Sequence, residues 1–418
     1  ILQLLVGSKI IPWDLTTKEG RSKFQGTQKL MVILFCFFEA FAFVGFGAIQ
    51  PVSNDGFTVS LMILQLAVGG IVVLFMDEVV SKWGIGSGVS LFIAGGVTKT
   101  IFVRAFNPIT PAGAAVPAGH IPAFFVLLGQ GEISQAIITM LPVIATIIVF
   151  LIVVYVQAIR VDIPLAFAAV RGFGRRWPLK FIYTSNMPVI LTAALLANML
   201  LIGSMLANRG ITIFGTFDPS GSPTSGIMYY ITTPLSVSVQ VFMLTLLIVV
   251  FAASFAVFYF KLKNVWRIIL GSLGVGMLLA IFITASFVGL PSTTDILRII
   301  GHISFFTIFS VIFSIFWVST SGMDAKNVAE QIEGLGMAIP GFRRDPRIVQ
   351  EVLNRYIPIL AVLGGVFVGV LASVADLTDA LGTGTGILLT VMIIYNFYEI
   401  IAARYAEDMH PALRRFFK

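Results

Sequence analysis

The chain has 418 residues, of which 57% are hydrophobic and only 11% charged, against roughly a quarter charged in soluble globular domains. That balance excludes a soluble globular protein. The net charge of +7 is confined to segments between apolar runs, so it points to anionic lipid beside a membrane, to a basic platform for a large partner, or to both.

The chain opens on an apolar scrap, Ile1–Gly7. It is too short to cross a bilayer core, which takes about 20 helical residues, and is expected to be the tail of a longer span; no cleavable signal pattern is visible. Ten stretches then have the length and apolarity of membrane spans: 29–50, 57–76, 87–103, 138–159, 187–206, 241–260, 268–290, 303–319, 356–375 and 384–401. All but four of the 27 Lys and Arg residues (Lys99, Arg104, Arg209 and Arg298) lie at the two ends or in alternate loops. Loops rich in Lys and Arg face the cytoplasm, and an even number of spans returns both ends to that side. The expected fold class is therefore an all-α polytopic membrane protein.

The loops on the other side are poor in basic residues. Segment 106–137 has none and is rich in Pro and Gly, and 207–240 carries only Arg209 together with the turn-forming string DPSGSPTSG. Two of the basic segments are long, about 158–186 and 320–355. The second contains AKNVAEQIEGLGMAIPGFRRDPRIVQEVLNRY, in which helix-forming ends flank a Gly/Pro tip. Loops of this length are usually functional or disordered, and their ordered pattern marks these as docking elements.

Few residues inside the spans could carry chemistry. Glu39 sits mid-span in CFFEAFAFVG and must face a bundle interior or water; it is either a neutral, hydrogen-bonded structural group or a part of ion coupling or gating. Asn198, in AALLANMLL, reads first as interhelical polar glue. Lys99 has a stem long enough to reach an interface. The single cysteine, Cys36, cannot form an intrachain disulfide, and His120, His302 and His410 are too scattered in sequence to suggest zinc. No nucleophile–base set and no phosphate loop is present, so neither catalysis nor a cofactor or metal is expected. GIGSG at 84–88 and GTGTG at 382–386 each open a hydrophobic helix and read as flexible turns or helix starts. By composition alone Val89, Ile93, Ile190 and Leu389 are ordinary packing residues.

Five long strings, FQGTQKLMVILFCFFEAFAFVGFGA, MDEVVSKWGIGSGVSLFIAGGV, FIYTSNMPVILTAALLAN, GLGMAIPGFRR and GTGTGILLTVMIIYNFYE, together resemble the SecY family in its archaeal form. This is the channel subunit of the general protein-secretion translocon, related to the alpha subunit of the endoplasmic-reticulum channel. The resemblance covers nearly the whole chain outside about 241–300. It implies a helical bundle in two pseudo-symmetric halves around a central hourglass pore, hinged at 106–137. Residues 1–105 would be the remainder of the first half and 138–240 the start of the second, with its first docking loop. Residues 291–418 would supply the last three spans, the second docking loop and the tail.

At the waist of such a pore stands an aliphatic ring, whose members here would be Val89, Ile93, Ile190 and Leu389. A narrow apolar ring resists ion leakage by dewetting and deforms around a passing chain. Glu39 and Asn198 match two members of a polar cluster at a lateral gate, through which signal sequences and transmembrane segments leave sideways into lipid. Polar contacts across a closed seam would set its opening energy at about 1–2 kcal/mol per interhelical hydrogen bond. Arg171, Arg175, Arg176 and Lys180 in the first long basic segment, and Arg343 and Arg344 in the second, match docking sites for a ribosome or a translocation motor, with rRNA phosphates as counterparts. The resemblance also implies a SecE-type subunit and a small one-span accessory subunit as partners, nascent chains and signal peptides as cargo, and the plasma membrane as location.

Three features depart from the family pattern. The first span, the plug and the start of the second span have no counterpart in the sequence. Two ring positions, one gate partner and half the gate are then expected to lie outside it, and residues 1–418 alone are not expected to seal a channel. Residues 241–290 read as an inserted hairpin of two extra spans turning at KLKNVWR, with lipid-facing packing as the first expectation and an accessory-subunit contact as the second. Phe167, Ala168 and Ala169 stand where related sequences tend to be polar or basic. Two other classes remain on the residues alone: a small-solute transporter, which would need polar groups at a midplane site, and a scaffold that anchors ribosomes through basic loops.

Overall fold

The computed structural model describes residues 2–7, 10–13, 18–45, 49, 51–53, 55–84, 86–167, 174–185, 187–208, 210–218, 221–234, 236–259, 265–334, 337–338 and 346–405. Among the described residues ten helices are long and apolar enough to cross a membrane, and each coincides with one of the ten spans expected from sequence. The chain packs as two compact units, one of residues 1–93, 318–324 and 393–418, the other of 94–317 and 325–392.

In the first unit, α1 (Leu2–Gly7) precedes the long helices α2 (Lys18–Gly45) and α3 (Gly56–Trp83). In hydrocarbon there is no hydrophobic drive between helices, so close approach at small residues takes its place. Gly70 of α3 is such a point, since a Cβ there would lie 2.9 Å from Cys36 Sγ on α2. This is why the lone cysteine sits in an apolar run: it fills the space its neighbour leaves. At the end of α3, Glu78 accepts from both Lys29 (2.7 Å) and Lys82 (2.6 Å). Helix α4 (Gly88–Phe106) begins in this unit and ends in the other.

The second unit holds α5 (His120–Gly129), α6 (Ile133–Gln157), strands β1 (Arg160–Phe167) and β2 (Gly174–Lys180), α7 (Met187–Asn208), α8 (Gly226–Ile231), α9 (Val237–Tyr259) and α10 (Val265–Phe287). They are followed by α11 (Thr293–Thr320), α12 (Ala325–Gly334), β3 (Met337–Ala338), α13 (Pro346–Leu377) and the start of α14 (Gly384–Tyr405). Its core gathers Val149 and Val153 of α6, Val189 of α7, Met243 and Leu244 of α9, Phe306 of α11 and Leu388 of α14 around Val368, Leu371, Ala372 and Ala375 of α13. Helix α13 can take the centre because Gly365 and Gly369 let it lie against α11: a Cβ at Gly369 would stand 2.8 Å from Phe306 O. Hydroxyls fasten the same seam, as Ser314 Oγ donates to Ala361 O (2.6 Å) and pairs with Thr184 Oγ1 (3.0 Å).

The 106–137 segment is more structured than its Pro and Gly content suggests. It contains α5, which packs on α6, and His120 Nδ1–H donates to Thr139 O at 2.9 Å. Burial pushes that imidazole below its ordinary pKa, which keeps it neutral and suited to a carbonyl partner on one nitrogen. The 241–290 hairpin is present as α9 and α10. Helix α9 lies on α6 and α13, while α10 packs chiefly on α9 and leaves Leu270, Leu278, Phe282 and Phe287 uncovered, as a lipid-facing helix requires.

Candidate functional site

Of the proposed ring positions, Val89 and Ile93 lie on α4 within the first unit, four residues apart and therefore on one helix face. Ile190, at the start of α7, is half-buried and Leu389 of α14 is buried, both in the second unit. None of the four is charged or polar, and among the described residues no group of three or more His, Cys, Asp or Glu could hold a metal ion. Glu39 on α2 and Asn198 on α7 are exposed, in different units.

The two long basic segments, which sequence reasoning treated separately, are joined. Strands β1 and β2 pair antiparallel from Arg160↔Lys180 through Leu165↔Arg175 to Ala166↔Gly174. β3, from the second segment, adds to the other edge of β1 through Ala166↔Ala338 and Phe167↔Met337. The result is one three-stranded sheet in the order β2-β1-β3, so segments more than a hundred positions apart in sequence are paired in one sheet. Arg175 and Arg176 lie on β2 and Lys180, half-buried, ends it; Arg171, Arg343 and Arg344 lie outside the described residues. Helix α12 and the start of α13 are the helix-forming ends expected around the Gly/Pro tip.

The helix starts that precede the ring positions hold residues that sequence reasoning passed over. Asp77 of α3 accepts from the Val89 backbone N–H (2.9 Å) and from Ser87 Oγ (3.2 Å). Asp376 of α13 accepts from the Gly384 N–H at 2.6 Å, and Thr383 Oγ1 accepts from the Gly386 N–H at 3.2 Å. Gly382 and Gly386 let α14 lie directly on Ile101 and Val97 of α4. The segment between α13 and α14 is held from further helices too: Arg104 Nη2 donates to Asp379 (3.0 and 3.1 Å), and Thr146 Oγ1 accepts from the Leu381 N–H at 2.8 Å. The Arg104–Asp379 pair is about one-third exposed, which limits its worth. Arg104→Ala is expected to cost about 1 kcal/mol, read as a small drop in unfolding temperature of the purified protein, with Arg104→Lys recovering part of it.

A family model described as SecY matches residues 1–398. The chain belongs to the SecY family. It is 42% identical over 421 residues to the protein translocase subunit SecY of Methanothermobacter thermautotrophicus, an alignment spanning 100% of this chain and 80% of the relative. A solved structure described as that of a protein-conducting channel matches with a TM-score of 0.72 and 40% identity, over 98% of this chain and 80% of that one. A Sec61 structure from a canine ribosome–channel complex of the endoplasmic reticulum matches with a TM-score of 0.69, also at 40% identity, over 98% of this chain and 80% of that one.

Proposed function

We propose that this chain is the channel subunit of a protein translocase, passing unfolded secretory polypeptides across a membrane. The observation that carries this reading is the whole-chain likeness, at 40% identity, to a protein-conducting channel. The residues agree with it: the four ring positions are aliphatic, which suits a conduit for many sequences and does not suit a small-solute site.

Within this reading, Val89, Ile93, Ile190 and Leu389 contribute to the constriction, and Glu39 and Asn198 belong to the polar seam of a lateral gate through which apolar helices partition into lipid. Residues 1–105 and 138–418 form two halves about the 106–137 segment, with 241–290 as an added hairpin. The two long basic segments, with Arg175, Arg176 and Lys180 on β2 and with Arg171, Arg343 and Arg344 outside the described residues, dock a ribosome or motor, with phosphates as counter-charges. The density of Lys and Arg places those segments and both visible ends in the cytoplasm, with the chain in the plasma membrane. A SecE-type subunit and a one-span subunit complete the complex. The structural relative caught in a ribosome–channel complex supports the ribosome as one partner.

The test uses the full-length channel complex in lipid vesicles, with a photo-crosslinker at Ile190 and a ribosome-stalled secretory chain. A crosslinker at the lipid-facing Phe255, exposed on α9, is the control. Signal-dependent crosslinks at Ile190 and not at Phe255 are expected. Productive engagement of stalled chains with no crosslink at Ile190 or Leu389 would overturn the pore assignment.

A further inference from the structure

The two glycine-rich strings left over from the sequence prove to be one device used twice. Residues 87–89, Ser-Gly-Val, start α4; residues 383–385, Thr-Gly-Thr, start α14. In each case a hydroxyl residue stands just before the helix and a glycine is its first residue. A carboxylate from the preceding helix takes one of the amide donors that a helix start leaves unsatisfied: Asp77 takes that of Val89, and Asp376 that of Gly384. The negative charge also complements the positive end of the helix dipole.

Both glycines are pressed onto the helix that supplies the carboxylate. A Cβ at Gly88 would lie 2.7 Å from Asp77 Cα, and one at Gly384 would lie 2.8 Å from Ala372 C, a turn before Asp376. Anchor and close approach together fix each helix start in depth and in rotation against its partner. Asp77 is held a second time, since it also accepts from Ser87 Oγ.

Measured from the closely packed glycine, the step to the ring position is the same in both copies, although the anchored amide is that of the second helical residue in one and of the first in the other. Ile93 follows Gly88 by five residues, and Leu389 follows Gly384 by five. At 1.5 Å per residue each side chain is set about 7.5 Å along its helix from a clamped end. Five residues are also 1.4 turns, so the rotation from clamp to side chain is equal as well. We propose that Asp77 and Asp376 are paired positioning residues that hold Ile93 and Leu389 at the depth and angle at which the constriction seals. This inference rests on the ring reading above.

The experiment uses the full-length channel complex in vesicles and reads three quantities: resting ion leak, translocation of a secretory protein with and without its signal sequence, and unfolding temperature. Asp77→Ala and Asp376→Ala are each expected to raise the resting leak about tenfold as the apolar waist loses its dewetted fit, and to admit the signal-less substrate. Asp77→Asn and Asp376→Asn, which keep an oxygen acceptor, should restore most of the seal. Thr383→Ala, a milder change at the same helix start, should give a smaller leak of the same kind. Val149→Ala, in the fully buried core of α6, should lower the unfolding temperature without leak, and Leu389→Ser tests the ring directly. If Leu389→Ser leaks and neither Asp→Ala variant nor Thr383→Ala does, the anchor proposal is wrong and the ring reading stands. If Leu389→Ser does not leak either, the ring reading fails and takes the proposal with it. Leak in Val149→Ala equal to that of the Asp→Ala variants would reduce the two carboxylates to ordinary contributors to stability, and would also sink the proposal.

Discussion

Ile190→Glu is expected to abolish most protein translocation, by at least about tenfold, while leaving ribosome binding unchanged. A carboxylate placed among aliphatic side chains at a narrow waist must either stay hydrated, which wets the constriction, or give up its charge, which costs several kcal/mol for an uncompensated group. Either outcome spoils the property a polypeptide conduit depends on, an apolar collar that yields to any side chain. The Ile190 site on α7 and the β2-β1-β3 sheet are built from different segments of the second unit, so a change in one need not reach the other. Translocation into vesicles and ribosome cosedimentation on the same preparation check the two halves of the claim. Loss of both together would mean a folding defect, and Ile190→Leu, similar in volume, must then retain both. An anchoring scaffold predicts ribosome binding as its whole activity and no effect of Ile190→Glu on passage. A solute transporter predicts an effect on small-molecule uptake.

The spans were legible because apolar length is a property of local sequence, and bilayer thickness fixes what length is needed. Even the 241–290 hairpin could be placed, since it carries two such lengths and a basic turn. The joining of the two basic segments was not legible. β3 is only two residues long, Met337–Ala338, and pairs with Ala166 and Phe167 far away in sequence; no periodicity can arise from two residues. The Asp77 and Asp376 anchors were hidden for a different reason. The spacing from carboxylate to helix start is eleven residues in one copy and eight in the other, so a search at fixed register finds no repeat. The carboxylate contacts together with the close approaches at Gly88 and Gly384 bring the two into correspondence, and it is from these glycines that the shared five-residue step to Ile93 and Leu389 becomes visible. Glu39 and Asn198 show the converse: sequence marks them as costly mid-span polar groups, and both are exposed on their helices.

One substitution made at two glycines should give opposite signs. Gly384→Ala is expected to destabilise the protein by about 2–4 kcal/mol, the range for forcing atoms into a filled site. The added methyl group meets Ala372 O and lies 2.8 Å from Ala372 C and 2.9 Å from Ala375 Cβ. Two of these three atoms are backbone of the central helix α13, so the strain has no flexible side chain to absorb it, and α14 must move instead. Gly95→Ala, within α4, meets nothing within 4 Å; there the methyl group only lowers the entropy cost of the helix, a gain of up to about 1 kcal/mol. Thermal unfolding of the purified complex should therefore place the two variants on opposite sides of the parent. The sign for Gly384 follows from steric contact alone, without appeal to any role in sealing. A leak in Gly384→Ala beyond that of a core variant of equal unfolding temperature would add the functional half: the helix start must lie where it does for Leu389 to close the waist. A stable, tight Gly384→Ala channel would instead mean that α14 tolerates displacement at its clamped end, and that depth at the constriction is set from somewhere else.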